Sequence, residues 1–164
     1  MISTPFPEEF LKTTSYWKVK LFFTKRSRAG RSYEKIYGFE DITELFDIGE
    51  VEIIVTTLGK DGSLCYIREG DIIRQEKIGI CKVDHVVDAT GSGDAYMAGF
   101  IYGYLKGYKA EECCRLGGTL SYFILQSEGC CTNAPTEEQL LEKAKNIFEL
   151  VSGRSYFEKK EKKL

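Results

Sequence analysis

Seven consecutive residues, Asp88-Ala89-Thr90-Gly91-Ser92-Gly93-Asp94, combine small side chains with two carboxylates in an order that suits anion chemistry. The run of Gly91, Ser92 and Gly93 leaves backbone N–H groups uncovered where a helix beginning near Ala95 would start. Orphan donors and the helix dipole both favour an anion at such a place. Asp94 stands at the mouth of that cradle. A carboxylate beside a phosphate repels it, so its presence makes sense as a proton acceptor. The pattern therefore predicts phosphoryl transfer to a hydroxyl, with Asp94 as base and the glycine turn holding the transferred group. A second glycine-bearing turn, Thr57-Leu58-Gly59-Lys60-Asp61-Gly62-Ser63, follows a β-branched run and is placed to lie against a nucleotide. In open α/β sheets, ligands sit at the carboxyl ends of strands.

The elements that must position these turns read as alternating strands and helices, an α/β arrangement. Strands are expected over Lys18–Phe23, Val51–Thr57, Ser63–Arg68 and Ile72–Lys77, with an extended segment at Val83–Val87 that contains the only histidine, His85. The last two strands are punctuated by Glu69-Gly70-Asp71, a hairpin signal. A short helix is expected from Asp41 to Phe46, and a basic loop holds Lys25, Arg26, Arg28 and Arg31. Three helices follow the catalytic turn, over about Gly93–Lys106, Ala110–Gln126 and Thr136–Val151. Thr136, with Glu137 and Glu138 behind it, gives the third a good start signal. On the first helix Ala95, Gly99 and Gly103 recur every fourth residue, a smooth face for close packing against another backbone.

Taken as a pair about thirty residues apart, the two turns resemble the ribokinase-like (PfkB) family of carbohydrate and nucleoside kinases. That family carries T-L-G-x-x-G followed by D-T-x-G-A-G-D-x-F-x-x-G-F. Here the second motif reads Asp88-Ala89-Thr90-Gly91-Ser92-Gly93-Asp94-Ala95-Tyr96-Met97-Ala98-Gly99-Phe100, with Ala89, Ser92 and Tyr96 as conservative departures. The resemblance extends over residues 51–150. It implies the C-terminal half of a ribokinase-like Rossmann-type sandwich, a mixed and mostly parallel sheet with flanking helices. It also implies Asp94 as catalytic base, Gly91, Ser92 and Gly93 as the anion hole, and Thr57, Gly59, Gly62 and Gly93 at an ATP site with Mg2+. Many members hold a monovalent cation such as K+. Its ligands would correspond to Asp88 and Thr90, carbonyls near Ile124, Ser127 and Gly129, and the side chain of Asn133. Where ribokinase-type members place an asparagine against the nucleotide, this chain has Gly118.

Two features depart from the family pattern. The early sugar-binding aspartate, the G-G-x-x-x-N segment and the β-sheet lid have no counterpart, so the N-terminal half and the lid are read as absent. In place of N-x-x-E the chain has Thr24-Lys25-Arg26-Ser27. The expected partner is a sugar or nucleoside, together with a missing N-terminal half or a second copy in a homodimer. The alternative is a catalytically silent nucleotide-binding module that keeps the scaffold.

Composition narrows the rest. At 164 residues the chain is read as one partial kinase domain, with a charged tail over 158–164. A net charge of −2 leaves no footprint for nucleic acid or an anionic membrane. The start, Met1–Glu9, lacks a basic, apolar leader, and no apolar run nears the ~18 residues of a membrane span, so a cytoplasmic location is expected. Six cysteines, Cys65 and Cys81 standing alone and Cys113-Cys114 and Cys130-Cys131 as adjacent pairs, lack C-x-x-C spacing. They are expected to be reduced and buried as small apolar residues, with no metal–thiolate site.

Overall fold

The structure, a computed structural model, describes residues 20–25, 41–47 and 50–152. Its Cα framework divides into two compact units, Met1–Gly59 with Leu64–Lys77, and Lys60–Ser63 with Ile78–Leu164.

The first unit is built on a four-stranded sheet, β1 (Leu21–Lys25), β2 (Ile53–Thr57), β3 (Ser63–Glu69) and β4 (Ile72–Ile78), ordered β1-β2-β3-β4. The β-branched run Ile53–Thr57 occupies an interior position, with Ile54 and Val55 both fully buried, as a strand covered on both faces requires. β1 pairs with it in parallel, Leu21 opposite Ile53 through Lys25 opposite Thr57. The hydroxyls of Thr24 and Thr56 meet across the rung at 2.7 Å. β3 runs the other way: Arg68, near its end, donates its N–H to the carbonyl of Glu52, just before β2 begins (2.9 Å). β4 returns through the two-residue turn Gly70-Asp71, so the mixture of parallel and antiparallel pairs is present within these four strands.

Ile42, Leu45 and Phe46 pack with Val51 and Ile54 into a small core closed by Tyr66. The first three come from a 3₁₀ segment, Ile42–Asp47, where an α-helix was expected. Six residues form too few turns to offset helix nucleation. The segment is held instead by a reciprocal cap, Thr43 N–H to Asp41 Oδ1 (2.7 Å) and Asp41 N–H to Glu44 Oε1 (2.8 Å).

The second unit carries α1 (Ser92–Leu105), α2 (Ala110–Ile124) and α3 (Glu137–Ser152), within two residues of the expected bounds. α1 and α2 touch backbone to backbone. A Cβ added at Gly99 would lie 2.7 Å from the Leu116 carbonyl oxygen, and one at Gly117 would lie 2.6 Å from that of Tyr96. Gly103 faces Leu116 and Cys113 in the same way. The smooth face read from Ala95, Gly99 and Gly103 is therefore the α1–α2 seam. Gly99→Ala is expected to destabilise the protein by about 1–3 kcal/mol, because overpacking against backbone outweighs the ~1 kcal/mol gain in helix propensity. Thermal unfolding of the variant checks this. α3 starts with a capping box, Gln139 N–H to Thr136 Oγ1 (3.2 Å) and Thr136 N–H to Gln139 Oε1 (2.9 Å). It packs Leu140 and Ala144 against Leu116.

Two expectations need correction. Val83–Val87 is not a strand: the chain bends at Asp84-His85, and Val86 and Val87 are 50% and 47% exposed. A β-branched run makes a strand only with a neighbour to complete its ladder, and no described strand lies beside it. Four cysteines are buried, but Cys130 and Cys131 are exposed, in the irregular segment after α2 where no core surrounds them. All six are free thiols. The residues before Lys20, the loop holding Arg26, Arg28 and Arg31, and the 158–164 tail lie outside the described residues.

Candidate functional site

Asp88 fixes the entry to the glycine turn. Its Oδ1 accepts the N–H of Thr90 (2.8 Å) and its Oδ2 accepts the N–H of Gly129 (3.1 Å), tying the turn to the segment that follows α2. The N–H and hydroxyl of Thr90, then the N–H of Gly129, favour the charged form and hold the carboxyl below its ordinary range. Because the folded pKa is lowered, the stabilisation is present above the unfolded value of 3.8 and is lost as pH falls through the folded one. Asp88→Asn should therefore flatten the acid limb of the protein's stability profile, which acid titration followed by circular dichroism will read.

The turn itself is made possible by Gly91, the residue capping α1, at φ +77°. No side chain caps the helix. Ser92 turns back, its Oγ donating to the Ala89 carbonyl (2.9 Å) and its N–H reaching the same oxygen at 3.3 Å. Among the described residues, the N–H groups of Gly93 and Asp94 make no hydrogen bond within the chain. A Cβ at Gly93 would meet nothing within 4 Å, so the space at that position is open. Asp94 is exposed beside it. The N–H groups left without a partner at the start of α1 are thus those of Gly93 and Asp94, with that of Ser92 partly committed to the turn.

The other wall of Gly91 is Cys130. A Cβ at Gly91 would fall 2.5 Å from the Cys130 Cβ and 3.0 Å from its Cα. Next to it the exposed Cys131 thiol hydrogen-bonds with Cys130; that contact first, and the negative charge of Asp94 last, raise its pKa.

Of the expected cation ligands, the fold brings Asp88, Thr90 and Gly129 together. Asn133 Nδ2 donates to the Phe123 carbonyl (2.8 Å), beside Ile124 at the end of α2. Ser127 N–H leans on the Ile124 carbonyl at 3.4 Å, and its hydroxyl meets that of Thr132 at 2.9 Å. Among the described residues, no group of three or more His, Cys, Asp or Glu could hold a metal ion, so no acidic cage for Mg2+ is found there. Nor is any described helix long and apolar enough to cross a membrane.

The nucleotide turn divides between the units. Thr57 and Gly59 belong to the first; the Thr57 hydroxyl donates to the Thr24 carbonyl (3.3 Å), and Gly59 has φ +63° with open space around it. Gly62 belongs to the second. It has φ +91°, and a Cβ there would lie 2.1 Å from the Ile78 carbonyl oxygen. Ser63, next in the chain, is buried and shares a 2.8 Å hydrogen bond with the Tyr96 hydroxyl on α1. This link from the end of the Thr57–Ser63 turn to α1 was not read from the sequence. The only signal was Tyr96 standing where the motif has phenylalanine. Gly118 lies on α2 with nothing within 4 Å of a Cβ there.

Comparison with known proteins places this geometry. A family profile described as pfkB family carbohydrate kinase matches residues 33–137. A nucleoside kinase of Methanocaldococcus jannaschii is 37% identical over 93 residues, 57% of this chain and 30% of the relative. The crystal structure of the nucleoside kinase from that organism, described as an archaeal member of the ribokinase family, superposes with a TM-score of 0.67 at 29% identity, over 77% of this chain and 40% of the other. Arabidopsis thaliana ribokinase complexed with ribose and ATP shares the fold, with a TM-score of 0.66 at 23% identity over 87% of this chain and 44% of that one. The chain spans less than half the length of these relatives.

Proposed function

The chain belongs to the pfkB family of carbohydrate kinases, and from that premise we propose that it carries the nucleotide and catalytic part of an enzyme transferring the terminal phosphoryl group of ATP to a hydroxyl of a sugar or nucleoside. The observation that carries this reading is the Gly91–Asp94 turn: open backbone donors at a helix start, uncovered space above Gly93, and an exposed carboxylate one residue on.

In this mechanism the acceptor hydroxyl approaches with its proton directed at an Asp94 carboxylate oxygen. As the oxygen–phosphorus bond forms, Asp94 takes the proton and the bond to ADP breaks. Charge on the phosphoryl oxygens falls on the Gly93 and Asp94 N–H groups and the α1 dipole, with Ser92 adding what its turn bond leaves free. Thr57, Gly59 and Gly62 would line the nucleotide, with the Ser63–Tyr96 hydrogen bond fixing the end of that turn. Mg2+ would arrive with ATP. A K+ ion has a donor set in Asp88, Thr90, the Ile124, Ser127 and Gly129 carbonyls and the Asn133 amide oxygen. When bound it would neutralise charge beside the cradle. Such ATP-dependent chemistry is in keeping with a cytoplasmic location.

The acceptor site is proposed to come from chain beyond this one or from a second copy, since the matched part of this chain covers 30% and 40% of the two nucleoside kinases compared. That same shortness favours the second reading, a nucleotide-binding module without turnover. A panel of sugars and nucleosides with labelled ATP separates them. Transfer of label to an acceptor supports the kinase, and ATP binding with no transfer to any acceptor supports the silent module.

A further inference from the structure

We propose that the outward face of α1 is where two copies of this chain pair, antiparallel about a two-fold axis. Beyond Gly93, the exposed residues of that face are Asp94, Ala98, Ile101 and Leu105. Their 4-3-4 spacing is that of a seam along which one helix packs on another. Ile101 is 42% exposed and Leu105 79%, and the half-buried Met97 and Tyr104 border them. The opposite face is committed to the chain's own core, where Tyr96, Gly99, Phe100 and Gly103 are buried. α1 is therefore apolar on both faces, with no charged residue between Asp94 and Lys106. A helix of that kind is one that the native assembly covers on every side. The contrast with α3 is direct: up to Asn146, every exposed position on it is polar.

What points to a second copy is the charge at the two ends of the stripe. Asp94 heads it in the first turn of α1, and Lys106 follows Leu105 at its foot. Lys106 reaches Glu137 on α3 (3.1 Å) from a side chain that is still half exposed. A stripe with unlike charges at its ends complements itself when one copy is reversed, as a two-fold contact requires. Antiparallel pairing sets the Asp94 end of each α1 beside the Lys106 end of the other and opposes the two helix dipoles. A parallel pair would set Asp94 against Asp94. Ala98, near the middle, leaves room for the partner's Ile101. At about 1.5 Å per residue the face is about 20 Å long, too short for a permanent dimer, so the pairing is reversible and of micromolar strength. Asp94 heads the stripe, so a copy seated there stands at the side of the Gly91–Asp94 turn. That consequence for catalysis rests on the kinase reading, whereas the contact itself does not.

The test is sedimentation velocity of the native chain from about 1 to about 200 µM, where a monomer–dimer equilibrium is expected. Leu105→Glu sets a carboxylate beside the partner's Asp94 and should weaken pairing at least about tenfold. Leu105→Met keeps the apolar contact and should leave pairing in place. Leu105 is 79% exposed, so both variants should melt with the parent when measured as monomers. Lys106→Glu should also weaken pairing, and adding Asp94→Lys in the same chain should restore it, a rescue that only the antiparallel arrangement gives. The proposal is overturned by a monomer at every concentration, which would leave the stripe to a different polypeptide. A dimer that Leu105→Glu leaves intact, assemblies larger than a dimer, or a charge swap that restores nothing would overturn it too. None of these readouts needs ATP, so failure of the kinase reading is separately visible.

Discussion

Asp94→Asn should lower phosphoryl transfer about 10²–10⁴-fold, the range a positioned general base contributes, while leaving the fold intact. The side chain is exposed in the first turn of α1, and its replacement is nearly isosteric, so no core contact is lost. Asparagine removes the proton acceptor but keeps the backbone N–H that faces the anion. It also removes a negative charge from beside the phosphate. Nucleotide affinity should therefore hold or rise as the rate falls, and that opposite movement distinguishes a lost base from a damaged site. Transfer measured in parallel with ATP affinity decides it. An unchanged rate would place the base elsewhere.

The two glycines flanking Ser92 should respond in opposite ways. Gly91→Ala puts a side chain at φ +77° and drives its Cβ into Cys130. Left-handed strain of about 1–3 kcal/mol and overpacking of similar size add to roughly 2–6 kcal/mol, a large share of a typical domain's stability. The melting temperature should fall by on the order of 10 °C. Gly93→Ala meets no atom of the chain and needs no positive φ. It should fold as well as the parent, or better by the helix propensity of alanine. Its methyl group, however, occupies the space over the open donors, and ATP should bind at least about tenfold more weakly, the effect expected when an anion-hole donor is masked. Melting curves and titration calorimetry of the two variants separate a structural glycine from one kept clear for a ligand.

Much of this was legible in the residues because local rules and the tertiary structure agree. The glycine turn, the three helices and the Thr136 cap follow from spacing and capping chemistry that act within a few residues. The Ala95–Gly99–Gly103 face was readable as a packing seam, since small residues at that spacing have few other uses. What was not legible depended on neighbours far away in sequence. Val83–Val87 has the composition of a strand, but composition supplies no partner ladder. Asp41–Phe46 has helical signals but too few residues to sustain them. Ser63–Tyr96 links positions 33 residues apart, and a hydroxyl added to an aromatic ring does not say what it will bond. Cys130 against Gly91 is likewise a contact between a turn and a loop 39 residues later in the chain, invisible to any local pattern.

The central claim is that the Gly91–Asp94 turn is a phosphate cradle. Calorimetric titration of ATP with Mg2+ into the native chain and into Gly93→Ala tests it most directly. Saturable binding to the native chain, weakened at least about tenfold in Gly93→Ala without loss of melting temperature, is the predicted result. Equal binding by the two proteins, or no binding by the native chain, would contradict it.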